Sequence, residues 1–307
     1  MRDDYVLTPG GFKPAARVHH IGPHHAVRMR DDIAELHHLE HGMVREIGRI
    51  PDHGGNEPLL PRNLALHKPG EGGDRPGQVA RSLPRAPGVP SALPGAFPPV
   101  SGWISYTGWS NRSGQPISRL ASSWAVPPEP ANRGAQTIFL FNGIQNQTMI
   151  YQPVLQWGPS AAGGGQRWSV ACWYADSQSG HSFFTDLVDV TVGQQLVGIM
   201  SLTAQHGGGL CDYSAEFAGI ANTTLPISNV PELTWANETL EAYGITARDD
   251  YPATAKTVIS TIQLQTGTTP PGLAWTVNNA HTETGGHVKV LDGGSGNGAL
   301  EIWYQAE

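Results

Sequence analysis

A chain of 307 residues and 32.8 kDa is long enough for one large domain or two modest ones. Charged residues make up 15% of it, while Gly and Pro number 38 and 25; this excludes a coiled coil or helical bundle and suits many short strands joined by tight turns. A formal charge of −7 gives no electrostatic ground for nucleic acid or an anionic membrane as partner.

At the N-terminus, Met1-Arg2-Asp3-Asp4-Tyr5 lacks the apolar core of a secretory signal, and no later run approaches the roughly 20 apolar residues of a membrane-crossing helix. Three histories fit: retention in the cell, a mature form, or export by another route. Residues 1–56 are His-rich. Within them Asp32–His41 reads as a helix with Ile33, Leu36 and Met43 or Val44 on one face, and short strands around Val18–Ile21 and Ala26–Met29 are equally allowed. His37 and His41 have the i,i+4 spacing with which two imidazoles share a metal on a helix. No third ligand is evident, so a solvated surface is expected, with no metal or cofactor. Residues 57–100, which include Pro84-Arg85-Ala86-Pro87-Gly88-Val89-Pro90, read as a Pro-, Gly- and Arg-rich linker with polyproline character. No tryptophan precedes Trp103, and a region so poor in large side chains buries little area.

Residues 101–307 carry the fold. Ile117–Val126, Thr137–Asn142, Met149–Trp157, Arg167–Ala175, Asp186–Val192, Gln195–Thr203, Tyr213–Ala218, Leu233–Ala236, Thr257–Leu264 and Ala299–Tyr304 are predicted strands, rich in β-branched and aromatic residues and bounded by Gly, Pro, Asn or Asp. Gly293–Gly298, between Val288–Leu291 and Ala299–Tyr304, reads as a hairpin loop; no helix follows it, so it is not a phosphate cradle. About ten strands with no helices between them make a β-sandwich of the jelly-roll type. Cys172 and Cys211 either form one bridge or are two buried thiols, and burial is the expectation for small residues in strands. Asn-x-Ser/Thr sequences at Asn111, Asn146, Asn222 and Asn237 are read as chance matches.

Side-chain alternation separates core from surface. Leu155 and Trp157 share one face, expected to be the core because burying each is worth about 1.5–3 kcal/mol; Gln156 then points out of the sheet or into a groove. The same rule sends Leu233 and Trp235 inward, and Glu232 and Thr234 outward, with Glu238 following if the strand runs on. Alternatively Asn237-Glu238-Thr239-Leu240-Glu241 begins a turn of helix capped by Asn237. Glu216 likewise opposes an aromatic neighbour. A Gln and a Glu facing each other can hydrolyse an amide: the carboxylate takes a proton from water, and the amide donates to the developing oxyanion. Nucleophile elbows and His-Glu-x-x-His sequences are absent.

The series Ser122-Ser123-Trp124-Ala125-Val126-Pro127, Thr137–Gly143, Val154-Leu155-Gln156-Trp157-Gly158, Trp173-Tyr174, Val192–Val197 and a strand centred on Trp235 resembles the eqolisin family of glutamic peptidases over roughly residues 103–264. The resemblance implies a concanavalin-like jelly-roll sandwich of two curved antiparallel sheets, and it implies that Gln156 is the catalytic Gln. Aligning on Trp235 puts Thr234 at the family's catalytic Glu position and Glu238 at a second, downstream Glu; Glu232 lies on the same face two residues earlier. The function implied is a hydrolase cleaving peptide bonds with a Gln/Glu pair on the concave sheet, with Gln156, Glu232 and Glu238 as catalytic candidates. Trp124, Trp173, Thr234 and Glu216 are the substrate-binding candidates. In that reading residues 1 to about 100 act as a propeptide covering the groove, and the resemblance implies secretion, the alternative being a cytoplasmic protein. The alternative is a non-catalytic module that holds polysaccharide or extended peptide in the same groove, favoured by Thr234 in place of the Glu.

Overall fold

The computed structural model of the protein describes residues 102–306 with their side chains, except 161, 176–182 and 282; before residue 102 it describes only the backbone of strands. There β1 (Tyr5–Thr8) pairs with β2 (Gly11–Pro14). The strands β3 (Val18–Gly22), β4 (His25–Met29), β5 (Ile33–Glu40) and β6 (Met43–Pro51) form an antiparallel sheet in that order. Of the two N-terminal readings, the extended one is therefore found. Pairing on both sides of β5 uses the backbone groups that a helix would need. The helical spacing of His37 and His41 falls with it, and His41 lies outside the described residues, as do residues 57–95 of the linker.

The rest is strand after strand: β7 (Ala96–Ser110), β8 (Ile117–Ala125), β9 (Thr137–Gln145), β10 (Met149–Ser160), β11 (Gly163–Asp176), β12 (His181–Phe184), β13 (Val188–Asp189) and β14 (Gln195–His206). Then come β15 (Leu210–Phe217), β16 (Leu225–Pro231), β17 (Trp235–Ala247), β18 (Lys256–Thr266), β19 (Thr276–Asn279), β20 (His287–Asp292) and β21 (Gly298–Trp303). They form two antiparallel sheets, a β-sandwich of the jelly-roll type. One runs β12-β11-β10-β9-β17-β7-β19, with β13 also on β11; the other runs β16-β15-β14-β8-β18-β21-β20.

Three predicted elements change. Asp186–Val192 shortens to the two residues of β13. The strand expected at Leu233–Ala236 begins at Trp235 and runs on to Ala247, so Asn237–Glu241 is extended rather than helical. The reason is tertiary: β17 is hydrogen-bonded by β7 on one side and β9 on the other, which fixes every residue from 235 to 243 in a ladder. The strands β7, β12, β16 and β19 had no predicted counterpart; β16 carries Pro226 and Pro231, which blur a strand signal. The loop after β20 is the expected hairpin, closed where Gly298 lies so near the Gly294 carbonyl that a Cβ would come within 2.6 Å of it.

The inner faces meet through large side chains. Trp124 of β8 packs edge-on against Phe217 of β15, Trp157 of β10 lies against Trp168 of β11, and the Tyr151 hydroxyl donates to the Leu225 carbonyl across the two sheets. Leu155 and Trp157 are fully buried, as their alternation requires. Cys172 and Cys211 are buried free thiols. Trp235, expected inward with Leu233, is only half-buried, because the inward positions of β17 are Ala236, Glu238, Leu240 and Ala242.

Candidate active site on the outer face of the larger sheet

Burial patterns separate the two sheets. In β15 the alternation is strict: Cys211, Tyr213, Ala215 and Phe217 are buried and their neighbours half-buried. In β9 every residue is buried, and in β10 and β17 long runs are buried on both faces. A sheet face turned away from the core and still buried is where this molecule departs from an ordinary sandwich.

The faces follow from contacts. Tyr151 and Pro153 of β10 reach toward the second sheet, at Leu225 and beside Gly198, so Gln152, Val154 and Gln156 point the other way. Cross-strand partners share a face. Gln156 is paired with Ser169 of β11 and Phe139 of β9, Phe139 with Glu241 of β17, and Glu241 with Trp103 of β7. The outer face thus carries one row, Ser169–Gln156–Phe139–Glu241–Trp103. Gln156 and Glu241 are separated by two strand spacings, about 10 Å between backbones.

Around them the face is aromatic. Trp103 meets Tyr106 and Phe141 edge-on at centroid distances of 4.8 and 5.8 Å, and Phe139 meets Tyr243 at 6.3 Å. Glu241 is fully buried and accepts a hydrogen bond from the Tyr243 hydroxyl. Gln156 is held by its own hairpin. Its Nε2 donates to the carbonyls of Gly158 (2.8 Å) and Gly163 (3.0 Å), and its Oε1 accepts from Ser160 Oγ at 2.8 Å. A register shift after Trp157 folds the hairpin over it. Gly164, at φ +96°, makes that approach possible, since a Cβ there would lie 2.4 Å from Gln156 Nε2.

The other candidates do not join this row. Thr234 donates its backbone N–H to the Gln145 carbonyl, six residues along β9 from Phe139 and so about 20 Å away. Glu232 precedes it, half-buried, with its N–H on the Gly209 carbonyl; desolvation raises its carboxyl pKa. Glu238 points inward, accepting from Ser122 Oγ of β8 at 3.2 Å, and complete burial pushes its carboxyl well above the usual range. Glu216 sits half-buried on the outward face of the second sheet. Trp124 is buried between the sheets. Trp173 is buried on the same outer face as Gln152, its cross-strand partner, and packs on Phe184. Glu241 was missed as a catalytic candidate although alternation from Trp235 through Asn237 and Thr239 leads to it. Among the described residues no cluster of His, Cys, Asp and Glu could hold a metal.

No family model matches the chain, and a search of curated proteins finds no match. Among solved structures the chain is similar to scytalido-glutamic peptidase with a transition state analog inhibitor, at a TM-score of 0.45 and 12% identity over 67% of this chain and 100% of that one. It is similar as well to SCP-B, a member of the eqolisin family of peptidases in complex with the tripeptide Ala-Ile-His, with a TM-score of 0.42, 12% identity and the same coverage. A fainter likeness, with a TM-score of 0.29 and 12% identity over 65% of this chain and 69% of the other, is to the CBM2 module of Lactobacillus casei BL23 phage J-1 evolved Dit.

Proposed function

We propose that the chain is a glutamic-peptidase-like hydrolase acting on peptide bonds, with Gln156 stabilising the oxyanion and Glu241 as general base. The observation that carries this reading is the shared row: an amide and a carboxylate on one face, with one strand between theirs, on a surface lined by Trp103, Tyr106 and Phe141. Their backbones are about 10 Å apart with Phe139 between them on the same face, so in this reading the substrate carbonyl and the water sit over that ring. Glu241 removes a proton from that water as its oxygen bonds to the carbonyl carbon, and the carbonyl electrons move to its oxygen. Gln156 Nε2–H donates to the oxyanion, and Glu241 returns the proton to the amine as the C–N bond breaks. Because both Nε2 hydrogens are committed to Gly158 and Gly163, the Gly163 bond must give way to the substrate. Glu241 takes the role that the sequence alone offered to Glu232 or Glu238. Residues 1–100 remain the propeptide of this reading, with the Arg- and Pro-rich linker as its cleavage zone.

A second reading, a module binding polysaccharide or extended peptide, is favoured by one observation. The Gln156 amide already has partners for both hydrogens and its oxygen, as a purely structural side chain would. Digestion of a denatured protein between about pH 2 and 7 separates the two. Cleavage on the acid side, absent in Gln156→Ala and Glu241→Gln but present in Glu232→Gln, is expected. No cleavage at any pH, with binding of a soluble cello-oligosaccharide instead, would leave the binding module.

A further inference from the structure

Four residues along β10 from Gln156, the outer face carries a second polar row that the proposed chemistry does not use. Gln152 is paired with Trp173, and the β9–β10 register, Tyr151 with Ile144 and Val154 with Phe141, sets Gln152 against Gly143. Gly143 is in turn the partner of Asn237, and Asn237 of Gly108. The Asn237 amide lies across Gly143: a Cβ there would be 2.9 Å from Asn237 Oδ1 and 3.1 Å from Nδ2. Only glycine at 143 lets this amide lean toward Gln152.

These amides are closed off from solvent, Gln152 at 0% and Asn237 at 1% exposure. Asn237 Oδ1 accepts from Thr239 Oγ1 at 3.0 Å, but among the described residues Asn237 Nδ2, both Gln152 Nε2 and Gln152 Oε1, and Trp173 Nε1 have no hydrogen-bond partner. A buried amide with neither end paired is costly and rare, and calls for a partner that binds it. The unpaired set, donors on Asn237 and Gln152 and an acceptor on Gln152, matches what a peptide group offers: one carbonyl to receive and one N–H to give.

We propose that Gln152 and Asn237 form a subsite for the main chain of an extended polypeptide, which rests on the peptidase reading above. Gln152 and Gln156 are four residues apart on one strand, about 13 Å, the length of four residues of extended substrate. The subsite therefore grips a peptide group about four residues from the bond to be cut. It adds affinity for long substrates without selecting their side chains. Entry requires this face to open, because its amides are enclosed in the free chain.

The test is titration of the full-length Glu241→Gln chain with a decapeptide of Ala, Ser and Lys, and with the same peptide N-methylated at alternate bonds. The unmethylated peptide is expected to bind at least tenfold more tightly. Adding Gln152→Met is expected to weaken binding at least tenfold while raising Tm, since it removes an unpaired buried amide at nearly constant volume. Asn237→Asp, which keeps the acceptor for Thr239 and deletes the unpaired donor, is a second variant with the same expected loss of affinity. Absence of binding, equal affinity for the methylated peptide, or a lower Tm with unchanged affinity for Gln152→Met, as for an amide paired to internal water, would overturn the subsite. Equal affinity for the methylated peptide, or unchanged affinity in Gln152→Met, counts against the subsite alone; absence of any peptide binding counts against the peptidase reading as well, and residual hydrolysis by Glu241→Gln counts against Glu241 as base.

Discussion

Gln156 and Glu238 illustrate how two buried polar side chains of one domain come to opposite fates. Around Gln156 the chain spends glycines on close approach: Gly158 at φ +86° has no room for a Cβ, which would fall 2.1 Å from the Gln136 carbonyl, and Gly164 is blocked by the Gln156 amide itself. Gly164→Ala should therefore cost about 1–3 kcal/mol and push the amide out of its hairpin, a loss readable by urea unfolding. Glu238, between the sheets, is different. Its cross-strand partners are Thr107 and Asn142; among the described residues its carboxylate accepts a hydrogen bond from Ser122, and its Oε1 has no partner. Burial holds its carboxyl well above the usual range and so favours its neutral form in the folded chain. The unfolded carboxyl ionises near about pH 4.3. The stability Glu238 supports is thus whole below that pH and falls as pH rises, by about 1.4 kcal/mol per unit, until the folded carboxyl ionises too. Glu238→Gln should flatten this slope and stabilise the chain at pH 7 relative to wild type. Denaturant midpoints at pH 4, 5, 6 and 7 that do not differ between the two chains would contradict it.

At the scale of elements, β17 decides the site. Its residues read locally as a capped helix start, with Asn237 before Glu238 and Glu241, and the ladder to β7 and β9 overrides that preference. Proline tests the point, because a first helical turn tolerates it and a strand paired on both sides does not. Thr239→Pro should destabilise the chain by about 3 kcal/mol or more, measured by thermal unfolding. The alternation that makes Leu155 and Trp157 core residues was legible in β10, and so was the outward direction of Gln156. What could not be read was its opposite number. Alternation fixes the face of a residue within one strand, but the residue facing Gln156 across β9 is 85 positions further along the chain, and only the registers of three strands bring it there. Alignment on Trp235 drew attention to Thr234 and Glu238, the first near the far end of β9 and the second on the inner face.

For the whole molecule, the sequence distinguished a Trp-rich β-sandwich from what precedes it, because tryptophan burial is a composition-level signal that needs no register. The two sheets enclose both thiols, Cys172 at 0% and Cys211 at 2% exposure. A thiol reagent should accordingly label neither in the native protein and both after unfolding, and a reductant should leave Tm unchanged. Rapid native labelling would mean that the sandwich opens locally. Asn237, 1% exposed in the central strand, is likewise closed to glycosylation in the folded chain, in keeping with a chance sequence match. The outer face of the larger sheet unites these scales: glycines that seat Gln156, registers that bring Glu241 opposite it, and a surface buried although it faces away from the core. The most direct test of that union is a double-variant cycle on peptide hydrolysis at acid pH with Gln156→Ala, Glu241→Gln and the pair. If both act in one step, the pair should be no slower than the worse single variant. Full activity in Glu241→Gln, with loss in Glu232→Gln or Glu238→Gln, would contradict it.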